Sequence, residues 1–151
     1  MLSATVKKFF QRDIGKLKAE LAAYQKEENL WLVSGDVSNS AGNLCLHLVG
    51  NLNHFIGHRM GGTDYVRQRE QEFSLKDVPR KELMEQLDET LFVVETTLDK
   101  MTEADLEKDF PIPSFNEKFS TGFFLIHLTT HLTYHLGQIN YHRRMMDADV
   151  A

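Results

Sequence analysis

Apolar residues recur at three- and four-residue steps in four long segments of this chain, which is the spacing of one buried face on an α-helix. The first segment covers about residues 3–28, with lysine and glutamate on its other face. The second covers about residues 41–59 and the third about 77–101, while the fourth extends from a cap at Ser120 or Thr121 to about residue 146. The pattern predicts an all-α fold, a four-helix bundle.

Glycine and proline mark the connection between the second and third predicted helices. Gly61 and Gly62 end the second helix, whereas Asp77 and Pro79 supply a cap and a first-turn proline for the third. Residues 63–76 are polar and have no clear period. They predict a connection of about 14 residues, which is long enough to cross the bundle instead of making a tight hairpin.

Shorter features separate the third and fourth predicted helices. Residues 102–107 predict a short extra helix. Pro111 and Pro113 predict an extended segment, because the proline ring fixes φ and removes a backbone donor. The length of 151 residues matches one domain with a single core, so we expect residues 1–151 to form one domain.

Composition and charge narrow the classes of function. The net charge of -5 argues against a nucleic-acid partner, because phosphate recognition needs clustered lysine and arginine. No stretch approaches the roughly 18 apolar residues of a membrane span, and charged residues interrupt the N-terminal segment before any signal-like run. The single cysteine, Cys45, excludes an intrachain disulfide and suits a reducing compartment. We therefore expect a cytoplasmic protein with no membrane partner.

Histidines recur every four residues in the fourth predicted helix, within the stretch HLTTHLTYHLGQ, at His127, His131 and His135. Four residues of an α-helix turn by about 400° and rise about 6 Å, so successive imidazoles project from one face and can converge on one point. A buried neutral imidazole is a costly core residue, because its donor and its acceptor both need partners. The spacing favours half of a metal site.

The second predicted helix carries a matching polar stripe. At about 100° per residue, four of its polar side chains fall within roughly 60° of one another, and these are His47, Asn51, His54 and His58. Leucine and phenylalanine flank the stripe, which indicates that it faces into or along the bundle core. Cys45 lies on the opposite side and is interpreted as an inert, small apolar residue.

Antiparallel packing of the second and fourth helices would bring these two sets of histidines together. With their midpoints level, His47 lies opposite His131 and His135, and His54 lies opposite His127. This arithmetic does not choose between the two sets. The first set makes a three-imidazole site, whereas His54 and His127 could act as a base through one water or simply pack behind the ligands.

Two motifs resemble those of the DinB/YfiT-like superfamily of metal-binding four-helix bundles. They are GNLCLHLVGN in the second helix and HLTYHLGQI in the fourth. His47 matches the superfamily's second-helix ligand, and His131 and His135 match its H-x-x-x-H pair, followed here by Gly137 and Gln138. The resemblance covers nearly the whole chain. It implies an up-down-down-up bundle with a long crossover between the second and third helices, and a divalent metal on these three histidines.

The resemblance also implies frequent dimerisation and more than one kind of activity. Some members are transferases that use low-molecular-weight thiols, others are described as metal-dependent hydrolases, and many have no known reaction. The exposed faces of the first and third helices carry ordinary lysine and glutamate patterns and do not indicate an interface. A homodimer is therefore an expectation from the resemblance alone.

Three neutral imidazoles leave at least one coordination position open to water or to a thiol. Zinc, nickel, iron, cobalt and manganese all accept such ligands, and we favour zinc. The fourth helix has no acidic residue beside its histidines, unlike the H-E-x-x-H arrangement of zinc proteases, which lowers the case for hydrolysis. We expect a metal-dependent enzyme that activates a small thiol for S-transfer to a small electrophilic substrate. A hydrolase and a non-catalytic metal- or ligand-binding module are the alternatives, and the catalytic residues stay unassigned.

Overall fold

The chain is all-helical in the residues that the structure, a computed structural model, describes, which are 1–112 and 116–148. A short 3₁₀ helix follows the first α-helix, and a π-helix continues the second. The α-helices are α1 (Leu2–Ala23), α2 (Ala41–Leu52), α3 (Arg69–Ser74), α4 (Arg80–Lys100), α5 (Glu103–Glu107) and α6 (Thr121–Met146), with the 3₁₀ helix at Glu27–Trp31 and the π-helix at Asn53–Met60. The predicted all-α class is confirmed.

Helices α1, α2, α4 and α6 form the bundle. Helices α1 and α2 each pack against both α4 and α6. Contacts between α1 and α6 give their relative direction: Asp13 accepts a hydrogen bond from Thr133, and Glu20 accepts one from Asn140. Both pairs are 120 residues apart in sequence, so α1 and α6 run in the same direction.

The direction of α4 is opposite to that of α1. Lys7 pairs with Asp99, whereas Lys18, further along α1, pairs with Asp88, which lies earlier in α4. Residues further along α1 therefore pair with residues earlier in α4. This order is found only when two helices run antiparallel.

The second helix and its π-helical extension run parallel to α4. Asn53 donates to the hydroxyl of Thr90, and one turn later Gly57 lies against Val93. Together with the antiparallel order of α1 and α4, this gives the up-down-down-up arrangement with a crossover between α2 and α4. The sequence of the crossover has no helical period, yet it contains helix α3.

Burial of the apolar faces stabilises the bundle. The apolar face predicted for the first helix is largely buried, although the apolar residue Phe9 is 42% exposed. Burying one such side chain contributes about 1.5–3 kcal/mol. The fully buried large side chains of the core include Phe10, Ile14, Leu17, Leu21, Leu48, Leu52, Leu83, Leu87, Leu125 and Leu128.

Helix α1 ends earlier than the periodicity predicted, because side chains from distant elements bind the backbone at its C-terminus. Nη1 of Arg80 donates to the carbonyl of Leu21 at 3.0 Å. The carboxylate of Asp147, at the end of α6, accepts from the backbone N–H of Gln25 at 2.6 Å. These contacts satisfy backbone groups that a longer helix would have paired internally. Sequence periodicity carries no information about such partners.

The predicted start of the third helix is also corrected. Asp77 does not cap it: this residue has a φ of 58°, and α4 begins at Arg80 after Pro79, without a side-chain cap. A short polar residue tolerates the left-handed conformation, so Asp77 forms the turn before the helix. Ser40 caps α2, and Ser120, one of the two caps predicted for the fourth helix, caps α6.

The short helix predicted at residues 102–107 is confirmed as α5, where Thr102 and Asp105 form a capping box. The extended conformation predicted at Pro113 falls outside the described residues. None of the described helices combines the length and apolarity needed to cross a membrane.

Candidate metal centre

His47 of α2 and His131 and His135 of α6 come together at one point of the bundle. Nε2 of His131 lies 3.2 Å from Nε2 of His47 and 3.1 Å from Nε2 of His135. One nitrogen from each ring can be chosen such that all three lie within 4.8 Å of one another. Antiparallel packing of α2 and α6 therefore brings together the first of the two histidine sets considered from the sequence.

These distances match the requirement of a small divalent ion. Nitrogen ligands about 2.0–2.1 Å from a tetrahedral zinc ion are separated from one another by about 3.3 Å. The measured separations of 3.1 and 3.2 Å are close to that value. The three histidines could hold a metal ion.

Hydrogen bonds on the far side of two rings fix which nitrogen faces the centre. Nδ1 of His47 lies 3.0 Å from Oε1 of Glu72, and a carboxylate oxygen only accepts, so this Nδ1 carries the proton. Nδ1 of His135 donates to Oε1 of Gln138 at 2.7 Å. In both rings the lone pair of Nε2 is therefore directed at the centre, as metal coordination requires.

Electrostatics keep two of the imidazoles neutral. Burial, together with the neighbouring His135 and His47, lowers the pKa of His131 to about 3. Burial also lowers the pKa of His135, although its hydrogen bond to Gln138 opposes that shift. Neutral imidazole is the form that binds a metal, so these two ligands need not lose a proton near neutral pH.

Glu72, which the sequence analysis did not single out, is the buried anion beside the triad. It is 5% exposed and lies in α3 of the crossover. Arg67 binds its carboxylate through two nitrogens, Nε at 2.9 Å and Nη2 at 3.0 Å. Burial raises the pKa of Glu72, but the hydrogen bonds from His47 and Arg67 outweigh it and hold the pKa below its usual value. Glu72 is ionised at neutral pH.

Two residues of α2 determine how α3 packs against it. The amide of Asn43 donates to the backbone carbonyls of Glu72 at 2.9 Å and of Leu75 at 2.8 Å. Gly50 provides the space for the carboxylate, because a Cβ atom at this position would lie 1.9 Å from Oε2 of Glu72. Helix α3 thus closes over α2 and brings an acidic side chain to the outer nitrogen of His47.

Two buried side-chain atoms near this centre have no hydrogen-bond partner among the described residues. They are Oδ1 of Asn51, one turn after His47 on α2, and Nδ1 of His131. Buried polar atoms without partners are rare and are commonly explained by a water or an ion. A side chain at the position of Asn51 could orient a ligand or bond another helix, but its carbonyl oxygen has no partner among the described residues.

The other candidate histidines lie outside the triad. His54 is in the π-helix, where its ring is 4.7 Å from that of Phe55, and burial and nearby arginines lower its pKa. The ring of His127 stacks on Phe124 at 5.4 Å. His54 and His58 lie in the π-helix that begins at Asn53, whose angular spacing differs from the α-helical value used to place the stripe. Cys45 is fully buried, and burial raises its pKa to about 12.

Fold and site together define a helical bundle with an imidazole cluster able to hold a metal ion. The family model described as "Protein of unknown function (DUF1572)" matches residues 3–150. The chain belongs to this family. Comparison with curated proteins finds no match. The family description states no activity, so the function has to be inferred from the chemistry of the site.

Proposed function

We propose that this protein binds a divalent metal ion through His47, His131 and His135 and activates a small thiol for transfer to an electrophile. The convergence of the three Nε2 atoms within metal-ligand spacing is the observation that carries the proposal. The resemblance to the DinB/YfiT-like superfamily supports it, since some members of that superfamily use low-molecular-weight thiols. We favour zinc as the metal.

Three protein ligands leave a position that a small molecule can occupy. A divalent ion held there lowers the pKa of a thiol, so that the sulfur reacts as thiolate. In S-transfer the sulfur forms a bond to an electrophilic carbon, the bond from that carbon to its leaving group breaks, and the thiol proton passes to solvent. The chain contributes oriented imidazoles, and burial lowers the pKa of His131 and of His135, which favours their neutral, metal-binding form.

Glu72 and Arg67 favour this reaction over hydrolysis. Hydrolysis usually needs a general base that can reach a water molecule. Both carboxylate oxygens of Glu72 already accept hydrogen bonds, Oε1 from His47 and Arg67 and Oε2 from Arg67. The role of Glu72 is therefore to orient His47, and thiol transfer needs no further base because the thiolate is itself the nucleophile.

The proposal is tested by conjugation kinetics with zinc-loaded protein. Cysteine and glutathione serve as thiols, and 1-chloro-2,4-dinitrobenzene serves as a chromogenic electrophile. The expected result is conjugation faster than in the His135→Ala variant, with the rate retained in His58→Ala, which alters an exposed histidine outside the triad. Conjugation no faster than with His135→Ala for every thiol would contradict the proposal, as would ester hydrolysis that needs no thiol.

A further inference from the structure

A concave site lies away from the three histidines. It is a cavity of about 560 Å³ between the end of the π-helix, the middle and end of α4, and the segment after α5. Its volume falls in the range of about 300–1,000 Å³ that is typical of small-molecule sites. Its apolar lining includes Met60, Phe92, Val93 and Met101.

Arg59 is held in a fixed position at this cavity. Its Nη2 donates to the backbone carbonyl of Pro111 at 2.6 Å, and its guanidinium carbon lies 4.5 Å from the ring centroid of Phe110. The guanidinium carries five N–H donors, and the hydrogen bond to Pro111 uses one of them. The other N–H groups can donate to a ligand. A cation oriented in this way is suited to an anionic group.

The remaining charges of the lining leave a positive balance. Lys108 forms an ion pair with Asp105 at 3.0 Å, which offsets both charges. Lys100 forms no ion pair with any residue of the described chain. The lining also has the positive charges of Arg59 and Lys100 and the negative charge of one further carboxylate, that of Asp109. The cavity thus carries a net charge of one positive unit.

Thr97 adds an unused polar group inside the cavity. The residue as a whole is 7% exposed, and within the described ranges its hydroxyl makes no hydrogen bond. Because Thr97 lines the cavity, its hydroxyl is accessible to a hydrogen-bond partner there. A ligand with an acceptor oxygen would supply one.

We infer that this cavity binds a small amphipathic anion, a carboxylate with an aliphatic chain, independently of the histidine triad. The chain packs on Met60, Val93 and Met101. The carboxylate lies toward Arg59 and Lys100. The site is separate from the proposed reaction, since none of the three triad histidines lines it.

The test uses sodium decanoate, below its micellar concentration, and protein labelled with ¹³C at the methionine methyl groups. Decanoate should produce saturable shifts at Met60 and Met101, which line the cavity, and none at the exposed Met145 of α6. Decanol has the same chain without the charge, and it should bind at least tenfold more weakly.

Two variants assign the effect to the cavity. Val93→Trp fills the cavity and should abolish the shifts. Lys100→Glu reverses a charge at the rim and should weaken decanoate binding at least fivefold. Lys81→Glu makes the same charge change at the other end of α4 and should leave binding unchanged. Thermal melting and zinc content show whether each variant keeps its fold and its triad. If Val93→Trp does not fold, Lys100→Glu alone tests the inference.

Three results would overturn the inference. They are the absence of saturable shifts at Met60 and Met101, equal binding of decanoate and decanol, and equal weakening by Lys100→Glu and Lys81→Glu. The first result would show that the cavity does not bind decanoate. Either of the other two would show that it has no preference for an anion. None of them bears on metal binding by the triad.

Discussion

Glu72 accepts a hydrogen bond from Nδ1 of His47 at 3.0 Å, across 25 residues of sequence. Nη2 of Arg67 also lies 3.4 Å from this Nδ1, but it already donates to Glu72 at the shorter distance of 3.0 Å. The proton of His47 is therefore on Nδ1. A carboxylate behind a histidine fixes its tautomer and raises its basicity as a ligand. Helix α3 of the crossover is thus part of the candidate metal centre.

Replacing Glu72 by glutamine should weaken metal binding by roughly 10–100-fold, because the variant keeps the size of the side chain but loses the charge that polarises His47. The measurement is zinc affinity by competition with a chromogenic chelator. Glu70→Gln, on an exposed residue of the same short helix, is the matched control and should bind zinc like the parent. Equal affinities in all three proteins would show that Glu72 has no part in the centre.

Gly50→Ala should disturb the same carboxylate from the opposite side. The new Cβ would lie 1.9 Å from Oε2 of Glu72, so α3 or the side chain has to move. We expect weaker zinc binding and a loss of about 1–3 kcal/mol in the free energy of unfolding, the usual cost of overpacking. Urea denaturation and chelator competition measure the two effects.

Gly15→Ala is the control for that substitution. Gly15 lies in α1, and a Cβ there meets nothing within 4 Å. Alanine favours the helix over glycine, so this variant should gain roughly 0.5–1 kcal/mol and keep its zinc affinity. If both alanine variants were stabilised and bound zinc normally, the close fit between Gly50 and Glu72 would be refuted.

The end of the bundle should respond to acid through His142. This residue is 6% exposed; its Nε2 donates to the carbonyl of Leu32 at 2.8 Å, and its Nδ1 accepts from the hydroxyl of Tyr24 at 2.6 Å. Burial lowers its pKa, so the folded state disfavours the proton. Its stabilising effect is present above the unfolded pKa of about 6.5 and is lost as the pH falls below that value.

Urea denaturation of metal-free protein at pH 7.5 and 5.5 checks this prediction. The parent should lose more stability between the two pH values than His142→Gln, whose amide can keep both hydrogen bonds but does not titrate. Other buried histidines contribute equally to both proteins, so the difference belongs to His142. The same pH dependence in parent and variant would contradict the assignment.

The sequence predicted those features that depend on local spacing. Apolar residues at helical steps identified the bundle helices, and the i, i+4 pair of His131 and His135 identified a candidate metal-binding face. Because antiparallel helices meet at predictable positions, His47 could be placed opposite that pair, although this arithmetic did not choose the set over His54 and His127. The pairing of Phe55 with Phe124, whose rings lie 5.0 Å apart, follows the same arithmetic.

Features set by long-range contacts could not be predicted in this way. Helix α3 has no apolar period, and its position depends on Asn43, which binds carbonyls about 30 residues away through two hydrogen bonds. Glu72 therefore appeared in the sequence as one polar residue among many. The π-helix was also missed, because residue type does not reveal a change of hydrogen-bond register.

Elemental analysis of purified, untagged protein tests the central claim most directly. The parent and His58→Ala should contain nearly one divalent metal ion per chain, whereas His47→Ala and His135→Ala should each lose it. Circular dichroism would verify that all four proteins are folded. A parent that holds no metal, even after anaerobic reconstitution with zinc, nickel, iron, cobalt and manganese, would contradict the account and make the three histidines structural residues.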